Sequence, residues 1–185
     1  MESKGFDVVI ASGNSDALAK VSGMLPYGSE VMHGHSTTLE EIGFIAELES
    51  KQSRWVDVRG RLAQEADPER RADMRRRALA CEYFLCGVNA ISRTGELVFC
   101  DASGSRLGAL SYSAKTVIIV AGTNKIAGDL DAALRRVREH AFPLEDRRVF
   151  SANGTHSTMS KWLVIENERI PHRITVVLVD GKLGY

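Results

Sequence analysis

Hydrophobic residues along this chain follow two rhythms. In the first, apolar and β-branched residues run together with few polar breaks, as in FDVVIA (6–11), EYFLCGV (82–88), TVIIVA (116–121) and RITVVLVD (173–180). A strand covered on both faces needs such a run, because its side chains alternate between faces and both faces meet apolar cover. SEVMHG (29–34) and KWLVIENE (161–168) are further strand candidates, and RWVDVRG (54–60) reads as a weak strand or bridge.

In the second rhythm, apolar residues return at helical spacing. Asn14 or Ser15 caps a helix carrying Leu18, Val21 and Leu25, stopped by Pro26. Ser36, Thr37 or Thr38 caps another, with Glu40 and Glu41 in its first turn and Leu39, Ile42, Ile45, Ala46 and Leu48 along one face. Pro68 opens a long arginine-rich helix over 68–80. Asp129 caps a helix with Leu130, Ala133, Leu134, Val137 and Ala141 on one side, and Pro143 lies beyond its expected end.

Strands alternating with helices predict an α/β fold: an open, mostly parallel sheet with helices on both faces. AISRTGELVFC (90–100) inserts a β-hairpin about its RTG turn, and GALSYSAK (108–115) reads as another edge strand. The last two strands are expected to pair with each other antiparallel. A chain of 185 residues suits one such domain, spanning 1–185.

Charge and cysteine content narrow the function. Lys plus Arg number 24 and Asp plus Glu number 24, so no net field draws the chain to nucleic acid or an acidic membrane. The basic run at 70–77 is interrupted by Asp73 and preceded by Asp67 and Glu69, as on a solvated face or a partner surface. Cys81, Cys86 and Cys100 form no Cys-x-x-Cys pair, which argues against a disulfide framework, a zinc knuckle or an iron–sulfur site and for reduced thiols in the cytoplasm. The N-terminal apolar run contains Asp7 and reads as a first strand, not a signal peptide, and no segment has the length of a membrane-spanning helix. The histidines are scattered and no metal site is expected; His33 and His35 are not read as a joint ligand pair. A strand–GxGxxG–helix unit and a P-loop are both absent, and no cofactor is expected.

In open α/β sheets, ligands lie beyond the carboxyl ends of the strands. Four polar loops belong there. HGHSTT (33–38) brings Ser36, Thr37 and Thr38 to a helix start, suited to an anion or to plain capping. GVNA (87–90) carries Asn89, either a ligand hydrogen-bonder or a turn residue. CDASGSRLG (100–108) carries Asp101, Gly104 and Arg106, read as base, turn and carboxylate clamp, or as a structural ion pair. AGTNKIAGD (121–129) sets Gly122, Asn124 and Lys125 directly after the most apolar strand. A lysine there neutralises an anion, or carries a proton if desolvation lowers its pKa.

These residues resemble the core of the lactate-utilisation (LUD) domain family. The likeness rests on Asn89 and Gly95 in the hairpin, Asp101-x-x-Gly104-x-Arg106, the strand ending in Gly122-x-Asn124-Lys125, and Pro143, together with SEVMHGHSTTLEEIG upstream. It covers roughly residues 5 to 185. His33-Gly34-His35 departs from the family's usual glycine pattern. The resemblance implies a fold like that of sugar-phosphate isomerases and CoA transferases. It also implies a part in oxidising L-lactate to pyruvate with iron–sulfur or flavin-type partner proteins. The resulting expectation is a small anionic metabolite, a carboxylate or phosphate, held by Ser36, Thr37, Thr38, Asn89, Gly104, Arg106, Gly122 and Asn124, with Asp101 and Lys125 as catalytic candidates. Two alternatives stand beside it: a stand-alone isomerase-like or acyl-transfer-like enzyme on a phosphorylated or CoA-linked substrate, and a non-catalytic interaction subunit. Self-association is left open.

Overall fold

In the computed structural model, which describes residues 1–185, the chain enters strand β1 (Asp7–Ala11) and then helix α1 (Asn14–Met24). The cap position is Gly13, without a side-chain cap; Asn14 and Ser15, the expected caps, lie in the first turn, and Asp16 ties back to the chain before it by accepting from Ser12 N–H at 2.8 Å. After β2 (Glu30–His33), Ser36 caps α2 (Thr37–Glu41). Gly43, at φ 85°, ends that helical stretch, and α3 (Phe44–Leu48) restarts it. The single helix expected over 36–48 is therefore two short ones.

β3 (Val56–Asp57) leads into α4 (Val58–Ala63), which the apolar pattern did not announce: it buries only Leu62 and contains Gly60. α5 (Pro68–Ala78) has Asp67 accepting from the N–H groups of Glu69 and Arg70. Next come β4 (Tyr83–Gly87), β5 (Ala90–Ser92) and β6 (Leu97–Asp101). α6 (Ser105–Gly108) continues as a π-helical turn over Ala109–Ser113. This replaces the expected edge strand. The buried Arg173 guanidinium supplies the reason, donating to the carbonyls of Ala109, Leu110 and Ala114 and so satisfying the end of a wide turn.

β7 (Thr116–Gly122) and β8 (Ile126–Ala127) flank a 3-10 turn at Thr123–Lys125. α7 (Leu130–Arg136) is capped by Asp129 as expected, but the helix does not stop at Ala141. A π-helical turn (Val137–Ala141) carries it into α8 (Phe142–Asn153), with Pro143 in the first turn of the new segment. Helix-interior proline lacks a donor and clashes one turn back, and the widened π turn absorbs both problems. β9 (Lys161–Ile165) and β10 (Ile174–Val179) close the chain.

Six strands form one sheet in the order β1-β10-β7-β4-β2-β3, parallel throughout. Side chains of β7 show why it lies inside: Val117, Ile119 and Ala121 join one apolar core, and Ile118 and Val120 join the other. α1, α2 and α3 cover the second core, whereas α4, α6 and its π turn cover the first. The hairpin belongs to a second, four-stranded sheet, β8-β5-β6-β9. The two last strands do not pair. β10, apolar on both sides, slots between β1 and β7, and β9 runs antiparallel to β6. No helix is long and apolar enough to cross a membrane.

Candidate functional site

β2, β4 and β7 are near neighbours in the parallel sheet, so the loops after them leave from one edge. There the loop after β6, the helix α8 and the α4–α5 segment enclose a cavity of about 600 Å³. The four loops singled out from sequence all contribute to its lining, and Lys125 and Arg106 face the same space.

Lys125 is on the lining of this cavity, 4% exposed. Its ammonium donates to Thr38 Oγ1 at 2.9 Å and has no carboxylate within ion-pair distance. Two backbone positions make room for it. A β-carbon on Gly87 would stand 3.0 Å from Ser36 Oγ and 3.6 Å from Lys125 Nζ; one on Gly184 would stand 3.1 Å from that Nζ. Gly184 also adopts φ 57°, a left-handed conformation that suits glycine. Burial first, then the charges of Arg136 and Arg106, lower the Lys125 pKa from 10.5 to about 8.

The Gly-x-Asn-Lys stretch has a mechanical explanation. A β-carbon on Gly122 would meet Gly181 O at 2.6 Å and Leu183 N at 2.7 Å, so the segment 181–184 passes directly over it. Asn124 fastens that segment: its Oδ1 accepts from Leu183 N–H at 3.1 Å and its Nδ2 donates to Gly184 O at 3.4 Å. Thr123 Oγ1 adds bonds to Gly181. Glycine and asparagine thus dock the chain's last residues, and the lysine that follows turns into the cavity.

Asn89, Asp101 and Arg106 form a second unit. Arg106 donates to Cys100 O at 2.8 Å, Asn89 Oδ1 at 3.0 Å and Gly87 O at 3.4 Å, and its Nε stands 3.4 Å from Asp101 Oδ2. Asn89 Oδ1 also accepts from Cys100 N–H at 3.0 Å. Asp101 Oδ1 accepts from Gly104 N–H at 2.6 Å and from Ser103 Oγ at 3.1 Å, and Gly104 sits at φ 83° in that turn. Of these three, the arginine and the asparagine tie the hairpin to the strand end, and the aspartate shapes the turn. Their hydrogen-bonding capacity is spent largely on the chain itself, which differs from the clamp-and-base expectation. The reason is that irregular buried backbone needs partners. Arg106 also passes over Gly34, where a β-carbon would lie 3.3 Å from its Cδ.

In the loop after β2, Ser36 Oγ accepts from Leu39 N–H at 3.3 Å and so acts as an ordinary cap. Thr37 Oγ1 is buried without a hydrogen-bond partner, and Thr38 holds Lys125. α2 has five residues, too few for a strong dipole. Attraction for an anion therefore comes mainly from side chains. The lining carries the cations Arg59, Arg75, Arg106, Lys125 and Arg148 against the carboxylates Asp101 and Glu145.

Several of these side chains carried no sequence signal. Glu145 makes a two-pronged pair with Arg148, at 2.7 and 2.8 Å, and accepts from the Tyr185 hydroxyl. They reach the cavity only because the helix continues past Pro143. His35 Nε2 also lines it, buried and without a partner. His33 Nδ1 contacts Gly34 O at 3.1 Å, its Nε2 stands 3.6 Å from Asp57, and burial lowers its pKa. No group of three or more His, Cys, Asp or Glu side chains is placed to hold a metal ion. Burial pushes the Cys86 thiol up to about 11.

A family model described as the LUD domain matches residues 1–179. Among solved structures, a DUF162 family protein from Deinococcus radiodurans is similar, with a TM-score of 0.54, 13% sequence identity, and coverage of 95% of this chain and 89% of that one. At that identity the likeness concerns the fold. eIF2B beta from Chaetomium thermophilum aligns over 63% of this chain and 43% of that one, at 12% identity and a TM-score of 0.42. No curated protein matches the chain at a significant level.

Proposed function

The chain belongs to the LUD-domain family, and on that premise we propose that it serves lactate utilisation by binding a small anionic metabolite at the carboxyl edge of its parallel sheet. In this reading the metabolite is L-lactate or its product pyruvate. The two electrons released on oxidation pass to iron–sulfur or flavin-type partner proteins.

One observation carries the reading: a lysine almost wholly out of water, facing a cavity, with a single hydroxyl partner and no carboxylate in ion-pair contact, Glu41 acting on it only from a distance. A buried ammonium left so is costly, and an arriving anion relieves that cost. Two of its three N–H donors remain for the ligand. The Thr37 hydroxyl and His35 Nε2, buried and unpaired on the same lining, supply neutral hydrogen bonds to the remaining oxygens. Asn89, Arg106 and Asn124 act as positioning residues that fix the walls.

Thermal unfolding with L-lactate, pyruvate, inorganic phosphate and sugar phosphates tests this. A ligand at a hundredfold its Kd adds about 2.7 kcal/mol of stability, a rise of roughly 5–10 °C for a chain of this size. The rise is expected for at least one carboxylate or phosphate, to weaken with added salt, and to vanish in Lys125→Met. No rise with any of these anions at millimolar concentration refutes the reading.

A further inference from the structure

Lys125 has chemical capacity beyond holding a charge. It is the one lysine on the cavity lining, and its amine meets the Thr38 hydroxyl at 2.9 Å. Other nucleophiles near it are unfit. The Cys86 thiol is fully buried and raised to about 11, and burial raises Cys100 as well. Four other lysines are tied up elsewhere: Lys4 with Glu96, Lys20 with Asp16, Lys115 with Glu82, and Lys161 with Ser103 O.

Two features favour the neutral amine at this one position. The amine is almost wholly out of solvent, and two guanidinium groups, Arg136 and Arg106, act on it against the weaker opposing field of Glu41, with no carboxylate in contact. An amine desolvated beside other cations is the arrangement that activates lysine toward carbonyl carbon. With a pKa of about 8, about one amine in ten is unprotonated at neutral pH, far more than for a lysine in water.

We propose that Lys125 forms a reversible imine with an aldehyde or ketone ligand that also carries an anionic group, a 2-oxo acid or a phosphorylated sugar. This rests on the reading of the same cavity as an anion site and specifies its ligand class. Nζ adds to the carbonyl carbon, and the carbonyl oxygen takes up a proton, for which the Thr38 hydroxyl is the adjacent relay. Loss of that oxygen as water then leaves a C=N bond. The protonated imine carries the same single positive charge as the ammonium it replaces, so a site shaped around a buried cation accommodates it. Arg59 or Arg75, which share the lining and form no ion pair of their own, holds the anionic group while the carbonyl faces the amine.

The test is reductive trapping. Protein is incubated with pyruvate or glyceraldehyde 3-phosphate plus cyanoborohydride, with L-lactate (no carbonyl) and acetone (no anion) as controls. Intact mass and peptide mapping follow, and thermal unfolding is measured in parallel without reductant. Expected is one adduct, mapped to the Lys125 peptide of the wild-type protein. It should form faster as pH rises from 7 to 9, be slowed by excess inorganic phosphate or L-lactate, and be absent from Lys125→Arg. A thermal shift with pyruvate or the sugar phosphate but no adduct at Lys125, or adducts spread over the surface lysines, overturns the imine and leaves the anion site standing. No thermal shift and no adduct with any probe overturns both. Because the adduct is mapped on wild-type peptides, the outcome does not depend on the variant folding.

Discussion

Replacing Lys125 by methionine exchanges a buried charge for an apolar chain of similar length. Its pKa falls from 10.5 to about 8, chiefly through burial. A lowered lysine pKa means that the unfolded chain binds the proton more readily than the folded one. At about 1.36 kcal/mol per unit, the protonated lysine costs the native state on the order of 3 kcal/mol at pH 7. The sign follows: the folded-state pKa is depressed, so the penalty is full below pH 8, diminishes as the pH rises from 8 toward 10.5, and is gone above. Methionine removes the penalty but leaves the Thr38 hydroxyl unpaired, which takes back about 1 kcal/mol. Lys125→Met is therefore expected to be more stable than wild type by about 2 kcal/mol at pH 7, with a melting temperature higher by roughly 4–8 °C. The advantage should shrink toward pH 10, and the anion-induced stabilisation should be lost. Urea unfolding of both proteins at pH 7 and pH 10 measures this. A variant less stable than wild type by more than about 1 kcal/mol, with a gap flat in pH, would refute the reasoning and make the lysine a structural strut.

Three further outcomes are expected. Gly122→Ala drives a β-carbon into Asn124 and the backbone of Gly181 and Leu183; it should lose about 2–3 kcal/mol by chemical denaturation and speed proteolysis of the segment 181–185. Arg106→Met leaves Asp101 and the Cys100 carbonyl without their cationic partner. It should cost about 3 kcal/mol and weaken anion binding indirectly, seen as a lower melting temperature with a reduced ligand shift. Asp129→Ala removes the cap of α7, whose Oδ1 accepts from Ala132 N–H at 2.7 Å; about 1 kcal/mol of stability should go while the ligand shift is unchanged.

Much of the fold was legible along the chain because its signals are local. β7, β10 and the caps at Ser36 and Asp129 follow from runs and side chains within a few residues of each other. Other departures came where a local pattern admits more than one structure. The alternation in GALSYS imitates a strand, yet Arg173, more than sixty residues away, holds the carbonyls of a helical turn there. Pro143 looks like a terminator, yet a π turn carries the helix through it. The site was legible as a set of loops, not as a set of roles. Asn89, Asp101, Arg106 and Asn124 are residue types that bind ligands, and the fold spends most of their capacity on its own backbone.

The sequence by itself determined an alternating α/β chain, four polar loops that follow strands, and Lys125 at the end of the most apolar strand. Only the tertiary structure decided that β10 enters between β1 and β7, that the loop after β6 in the second sheet joins those at the parallel-sheet edge, that α8 and Tyr185 wall the cavity, and that this lysine is buried without a carboxylate in contact. The physical reason is range. Periodicity and capping act between near neighbours, whereas desolvation of a charge depends on which remote segments come to exclude water from it.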